Sequence, residues 1–323
     1  MKKLFLTFVF AIVATLTAMA QQISVVSTTG ATTLYRTLQE AIEGADPGSV
    51  IYLPGGSFVS DNLTITKKLT IIGVGYKSNN DNVDGITTIV GNIRFDEGAS
   101  GSALIGCYIT ERIMVGYGNN HNVSDMLIKN CRLKWLMVGS NCMRTIVSQN
   151  YITGSQEINS DAYINNNVTG VIKNLKGGTI INNIIYCNND YHLYNIYNTT
   201  IVNNIMIGYG RKGYLAYNDY IDYRGANCQV SNNLAQTEVG DDCITIGETE
   251  WTNVFANYSN TISPNNDYHF KGIYKQYENQ VGIYADSGFS ESAPVPYIVA
   301  KHVDEQTDAS GKLNVKIRVK ASE

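Results

Sequence analysis

Charge is scarce in this chain. Of 323 residues only 16% are Asp, Glu, Lys or Arg. No basic excess is present: without Lys2 and Lys3, 22 basic residues face 28 acidic ones. That balance argues against nucleic acid or an anionic membrane as partner, because both need a basic footprint. Beyond the first twenty residues no apolar run is long enough to span a bilayer. No two of the six cysteines have CxxC spacing, and none of His121, His192, His269 and His302 pairs with a Cys at zinc-ligand spacing. There is no Asp-x-Asp or EF-hand-like calcium loop. Nothing in the sequence points to a metal or a cofactor.

The first twenty residues read as a signal peptide. Lys2 and Lys3 form a positive n-region, residues 4–16 an apolar stretch, and Ala18-Met19-Ala20 a small-x-small site before Gln21. No Cys follows that site, so no lipid anchor is expected. The chain is therefore expected outside the cytoplasm: periplasmic, on the cell surface or extracellular.

Asn, Thr, Ile, Gly and Tyr are abundant, and from residue 104 they fall into a repeat. An aliphatic residue, two mostly polar ones, and then Asn or Cys recur at Leu104-Cys107, Ile128-Cys131, Val147-Asn150, Ile164-Asn167, Ile180-Asn183, Ile201-Asn204, Val230-Asn233 and Val254-Asn257. Steps of 24, 19, 17, 16, 21, 29 and 24 residues average near 21, about one turn of a three-sided parallel β-helix. Stacking such turns buries aliphatics that no single turn buries alone. Asn at the anchor tolerates left-handed backbone and can bond to the Asn one rung along, giving a ladder. Cys fits the slot as a small apolar substitute, which favours free thiols over disulfides. The 16- and 17-residue steps are short for a full turn, so one of those anchors is suspected of being out of register.

The expected architecture is all-β: a single-stranded right-handed parallel β-helix of about ten rungs over residues 21–290. Leu34, Leu38, Ala41, Ile42 and Ala45 lie on one face of an N-terminal capping helix that ends at Asp46-Pro47-Gly48. Over 291–323, Tyr297–Val303 and the alternating Leu313, Val315, Ile317 and Val319 predict a C-terminal β-hairpin packed on the solenoid or closing its end. The amphipathic helix, PGSVIYLPGG and LTITKKLTIIGVG opening together resembles the pectate-lyase-like right-handed β-helix superfamily. The C-terminal hairpin resembles the endings of secreted β-helix proteins of Bacteroidetes-type bacteria.

Three features bear on chemistry. Gly240-Asp241-Asp242-Cys243-Ile244 resembles the GDDCI segment of polygalacturonase-type glycoside hydrolases. That resemblance implies catalytic roles for Asp241 and Asp242, with Asp219, 22 residues earlier, as the third carboxylate. The family's His-Gly and Arg-Ile-Lys segments are represented here only by His269. The alternative is a pair of aspartates in a solvated turn. A lyase would instead need an acidic residue and a Lys or Arg base on adjacent rungs, for which Glu111 and the basic Arg112, Lys129, Arg132, Lys134 and Arg144 are the candidates. Finally, nine tyrosines occur from Tyr186 to Tyr223, and the long 208–224 connection carries Arg211, Lys212, Tyr214, Tyr217, Tyr220 and Arg224. Tyr suits stacking on sugar rings, and long loops on rigid scaffolds carry binding.

The expected partner is thus a polysaccharide or other glycan. Two classes stay open: a non-catalytic binding or structural solenoid, slightly favoured because no catalytic set is complete, and a hydrolase or lyase acting on an acidic, uronate-type polysaccharide.

Overall fold

The structure, a computed structural model, describes residues 22–77, 85–118, 121–187, 191–208, 215–216, 226–286, 289–291, 296–304, 306–307 and 310–320. Its strands are short, mostly two to four residues, because each presents only one or two side chains to a narrow interior. One inward column runs Ile51, Ile71, Leu104, Ile128, Val147, Ile164, Ile180, Ile201, Val230, each directly paired with the next in a parallel ladder. All nine are buried, each worth roughly 1.5–3 kcal/mol of apolar burial. They define the first sheet. Two of its eleven strands, Ile23–Val26 and Thr32–Tyr35, pair antiparallel at one end, and the other nine are parallel.

The second assembly has sixteen strands, all parallel. It is two stacks joined where the long strands Gly56–Ile65 and Thr87–Phe95 run through a corner. The 87–91 half of the second long strand leads into a stack through Ile109, Leu133, Ile152, Thr169, Ile185 and Met206. Its 93–95 half leads into another through Ile113, Leu136, Gln156, Ile172 and Leu193. Three parallel faces around one continuous core make a parallel β-helix. Among the described residues no helix is long and apolar enough to cross a membrane.

At the first corner the expected ladder is formed. The side-chain amide of Asn150 donates to Asn167 Oδ1 (2.9 Å), Asn167 to Asn183 (3.0 Å), Asn183 to Asn204 (3.0 Å) and Asn204 to Asn233 (2.9 Å). Each also donates to the carbonyl of the aliphatic one rung back, from Ile128 to Ile201 (2.8–2.9 Å). The 16- and 17-residue steps are therefore in register, because a rung can shorten by trimming its other corners. The left-handed residue is the one before the ladder position: Gly106, Asn130, Gln149, Asn166, Asn182, Asn203, Asn232 and Asp242 all have φ between 49° and 67°. Cys107 and Cys131 occupy the slot itself, and Cys131 N–H donates to Asn150 Oδ1 (2.8 Å). All six cysteines are free thiols.

Three expectations need correction. Asn257 is not a ladder residue; it lies in Phe255–Asn257, paired antiparallel with Asp267–Phe270. After Asn233 the chain shortcuts instead. Leu234–Ala235 joins the second sheet, Val239 plugs the core, and Asp241 bridges Ser231 on the first sheet. Ile244 then pairs with Leu234, which sets Cys243 in the slot beyond Asn233. Leu34 lies in the exposed Thr32–Tyr35 strand, while helix α1 (Leu38–Gly44) starts at a Thr37/Glu40 capping box. The hairpin of Tyr297–Val303 with Val315–Lys320 is formed, but Val315, Ile317 and Val319 are 49–56% exposed rather than half-buried.

Parallel pairing ends at Ile244–Thr245. The described residues 250–286 and 289–291, opening with the one-turn helix α2 (Trp251–Val254), fold back over the outer face of the second sheet. There Tyr151, Val168, Ile184, Ile205 and Leu234 point outward as a column and are buried under Trp251, Phe255, Tyr268, Phe270, Val281, Ile283 and Phe289. The strap is fastened to the left-handed turns: Gly282 N–H donates to Asn203 O (2.7 Å), Asn166 to Ile283 O (3.2 Å) and Asn130 to Ser290 O (2.7 Å). Glu291 closes it by accepting from Tyr151 (2.9 Å) and pairing with Lys77.

Candidate functional site

With the second face strapped over, the third sheet offers an uncovered row of outward side chains. Between inward aliphatics its strands present Arg94, Met114, Met137, Glu157, Lys173 and Tyr194, each paired with the next. All six are partly solvent-accessible. At the corner leading into this sheet Arg112 pairs with Trp135. Two cations approach the Trp135 ring, with Lys134 Nζ 4.1 Å and Arg112 Cζ 5.1 Å from its centroid. Cations over an indole face gain about 0.5–1 kcal/mol each at exposed sites. Glu111 lies 3.8 Å from Lys134.

Trp135 sits where it does because the next rung has no side chain there. A Cβ on Gly154 would stand 2.5 Å from both Lys134 O and Trp135 Nε1, and one on Gly170 would be 2.1 Å from Gly154 O. Arg112, Trp135, Leu136, Met137, Ser155 and Glu157 line a cleft of 240 Å³. The Glu157 carboxylate accepts from the Tyr117 hydroxyl (3.2 Å), and Arg94 donates to Tyr117 O (2.5 Å). Desolvation first, then the charge of Glu157, raises the Tyr117 phenol, with Arg112 opposing. Tyr117 therefore stays a neutral donor that orients the Glu157 side chain. The arrangement combines an aromatic face, two cations and an oriented carboxylate, groups that can stack on a sugar ring and bond its hydroxyls and carboxylates.

The sequence-derived candidates fall elsewhere. Asp219, Arg211, Lys212, Tyr214, Tyr217, Tyr220 and Arg224 lie outside the described residues. Asp241 and Asp242 belong to the last ladder turn: Asp241 N–H donates to Val230 O (2.8 Å) and Asp242 takes the left-handed position, φ 49°. Gly240-Asp241-Asp242-Cys243-Ile244 thus aligns with Val230-Ser231-Asn232-Asn233-Leu234, and both aspartates are exposed. His269 is on the strap; its ring stacks on Tyr284 (4.0 Å) and pairs with Glu278, so its partners come from that segment and not from the aspartates.

Of the lyase candidates, Glu111, Arg112 and Lys134 converge at Trp135, and Arg132 stacks on Tyr108 (4.8 Å). Lys129 is on the first sheet, and Arg144 grips Asp125 with two hydrogen bonds (2.6 and 2.8 Å). Among the described tyrosines of the cluster, Tyr186 is buried and donates to Tyr268 (3.0 Å), while Tyr191 stacks with Tyr194. Trp135, Glu157, Tyr117 and Lys173 were not singled out from sequence. Glu157 and Lys173 are outward positions of the third sheet, in line with Met137, while Trp135 opens one of its strands and Tyr117 follows another, so they are legible only once that sheet's register is known. Among the described residues no three His, Cys, Asp or Glu side chains are grouped to hold a metal. No protein-family model, curated protein or solved structure matches the chain.

Proposed function

We propose that this is an exported solenoid that binds a polysaccharide along its third face without cleaving it. The observation that carries the reading is Trp135, with the Arg112 and Lys134 cations beside it, lining a cleft that also contains Glu157. An aromatic ring stacks on the C–H face of a pyranose, and flanking cations favour sugars bearing carboxylates. Asp241 and Asp242 sit in an exposed backbone turn away from this cleft, which favours binding over hydrolysis at Trp135. Export rests on the N-terminal signal-like segment. Membership of the pectate-lyase-like right-handed superfamily rests on the helix, PGSVIYLPGG and LTITKKLTIIGVG opening, together with the parallel stack.

The experiment is titration of the secreted form with acidic and neutral glycans, followed by tryptophan fluorescence. The chain has 2 tryptophans, and Trp251 is buried, so ligand at the corner perturbs mainly Trp135. Binding with a fluorescence change is expected, and Trp135→Ala is expected to weaken it more than tenfold, ~1.4 kcal/mol. An unaffected affinity in Trp135→Ala sinks this site. The alternative, a hydrolase or lyase of a uronate polymer, draws on Glu157, Tyr117 and Arg112 gathering at one cleft. Release of reducing ends or unsaturated uronates during titration would establish it.

A further inference from the structure

Beyond Trp135 the corner does not remain charged. The column Lys134, Gly154, Gly170 drops to bare backbone, each amide donating to the rung before it or the residue beside it: Gly154 N–H to Lys134 O (2.8 Å) and Gly170 N–H to Ile152 O (3.1 Å). Opposite this trough stands the strap. Gly154, Ser155, Gly170 and Val171 form the floor, and Asn260 and Thr261 the wall, of a second cleft of 480 Å³. That volume is within the roughly 300–1,000 Å³ of ordinary ligand sites. Its lining carries hydroxyl, amide and apolar groups, but no Asp, Glu, Lys, Arg or His. Ser155 borders both clefts, so charged and neutral compartments adjoin.

The neutral wall is fixed in place. Asn266, buried, donates to Thr261 O (2.9 Å) and to Tyr268 Oη (3.0 Å), while its Oδ1 accepts from Ser259 Oγ (2.8 Å). Tyr186 joins the same network through Tyr268. A preorganised wall loses little ordering entropy on binding. Successive rungs are ~4.8 Å apart, close to the advance of one residue in an extended glycan. The path from Trp135 past Ser155 to Val171 covers two such steps.

We infer that the groove takes a heteropolysaccharide in which an acidic sugar, held at Trp135, adjoins a neutral sugar lodged between the Gly154–Gly170 floor and the Asn260–Thr261 wall. The inference rests on the glycan-binding reading above and adds the substrate class. Its test compares oligosaccharides of equal length. These are a galacturonate homopolymer, a mannose homopolymer, and alternating galacturonate–rhamnose, glucuronate–glucose and glucuronate–N-acetylglucosamine, against the wild type, Trp135→Ala and Thr261→Trp. Thr261 is exposed, so a bulky side chain there fills the cleft without entering the core. At least one alternating oligomer is expected to bind at least tenfold tighter than either homopolymer. That advantage is expected to vanish in Thr261→Trp, while Trp135→Ala weakens every ligand. A homopolymer that binds as well as every alternating oligomer overturns the inference, as does an advantage that survives Thr261→Trp. Both results leave the binding site standing if Trp135→Ala still loses affinity. No binding by any glycan overturns both.

Discussion

Each ladder asparagine is individually costly to bury and collectively satisfied. Asn167 donates to Asn183 Oδ1, Val147 O and Asn165 O, and its own Oδ1 accepts from both Asn150 N–H and the Asn150 amide. Replacing it by Ala leaves the Asn150 N–H and one amide hydrogen of Asn150 without their acceptor, and takes a donor from Val147 O, in a dry site. With each buried unsatisfied group costing about 1–3 kcal/mol, Asn167→Ala is expected to lose roughly 3 kcal/mol or more in urea unfolding, a larger loss than Asn232→Ala at the half-exposed turn position. His192 makes a pH-dependent contribution. Burial lowers its pKa from 6.5 to about 4, and its Nε2–H donates to Ile207 O (2.8 Å). The unfolded chain binds this proton below pH 6.5, whereas the folded chain does so only below about 4. Stability therefore falls as pH drops through that window, by on the order of 3 kcal/mol in all. In His192→Gln the corresponding slope in unfolding free energy is expected to flatten between pH 6.5 and 4, beneath whatever the carboxylates contribute.

At the scale of the element, the strap decides which face is available. Glu291 ties its far end to Tyr151 and Lys77, and Phe289 packs edge-on against Tyr151 (5.5 Å). Glu291→Ala is expected to raise amide hydrogen exchange over 281–286 by tenfold or more, while the first-sheet strands around Val147, Ile164, Ile180 and Ile201 keep their protection. Equal loosening of both regions would mean that the strap and solenoid open as one unit. The strap was poorly legible in the sequence. Val254-Asn257 imitates a rung because an aliphatic and an Asn at that spacing cost nothing in an unrelated antiparallel pair. The last rung at Cys243 left two readings open in the sequence, catalytic acids or a solvated turn, because turn chemistry and acid chemistry use the same residue types. The ladder and first inward column were legible, since an interior that admits one aliphatic per strand leaves a strict column. The Trp135 cleft was not, since outward positions obey no column rule and their neighbours are one rung, not one residue, away.

Across the whole molecule, three faces carry three different roles. The first presents a mixed row that includes the exposed Tyr52, Ile146 and Tyr163, with ion pairs such as Arg144–Asp125 nearby, the second is buried under its own chain, and the third holds the proposed groove. The core runs through all of them, and five of the six thiols are buried. Desolvation pushes the Cys131 thiol up to about 12 and Cys107 well above its ordinary value. Native protein is therefore expected to react with one equivalent of a disulfide reagent, at Cys243, and with six after unfolding in urea. Fewer than six in urea would reveal a disulfide.

The distribution of Cys and Asn along the ladder has a consequence for association. An interlocked row of carboxamides, repeating at the spacing of a cross-β fibril, is a template on which another chain could add. The row here begins after Cys131 and stops before Cys243. A thiol in the terminal slot offers an incoming strand no carboxamide oxygen to accept its amides, and Val239 fills the hollow against which that strand would pack. The asparagine ladder is thereby bounded by thiols at both ends, between Cys131 and Cys243.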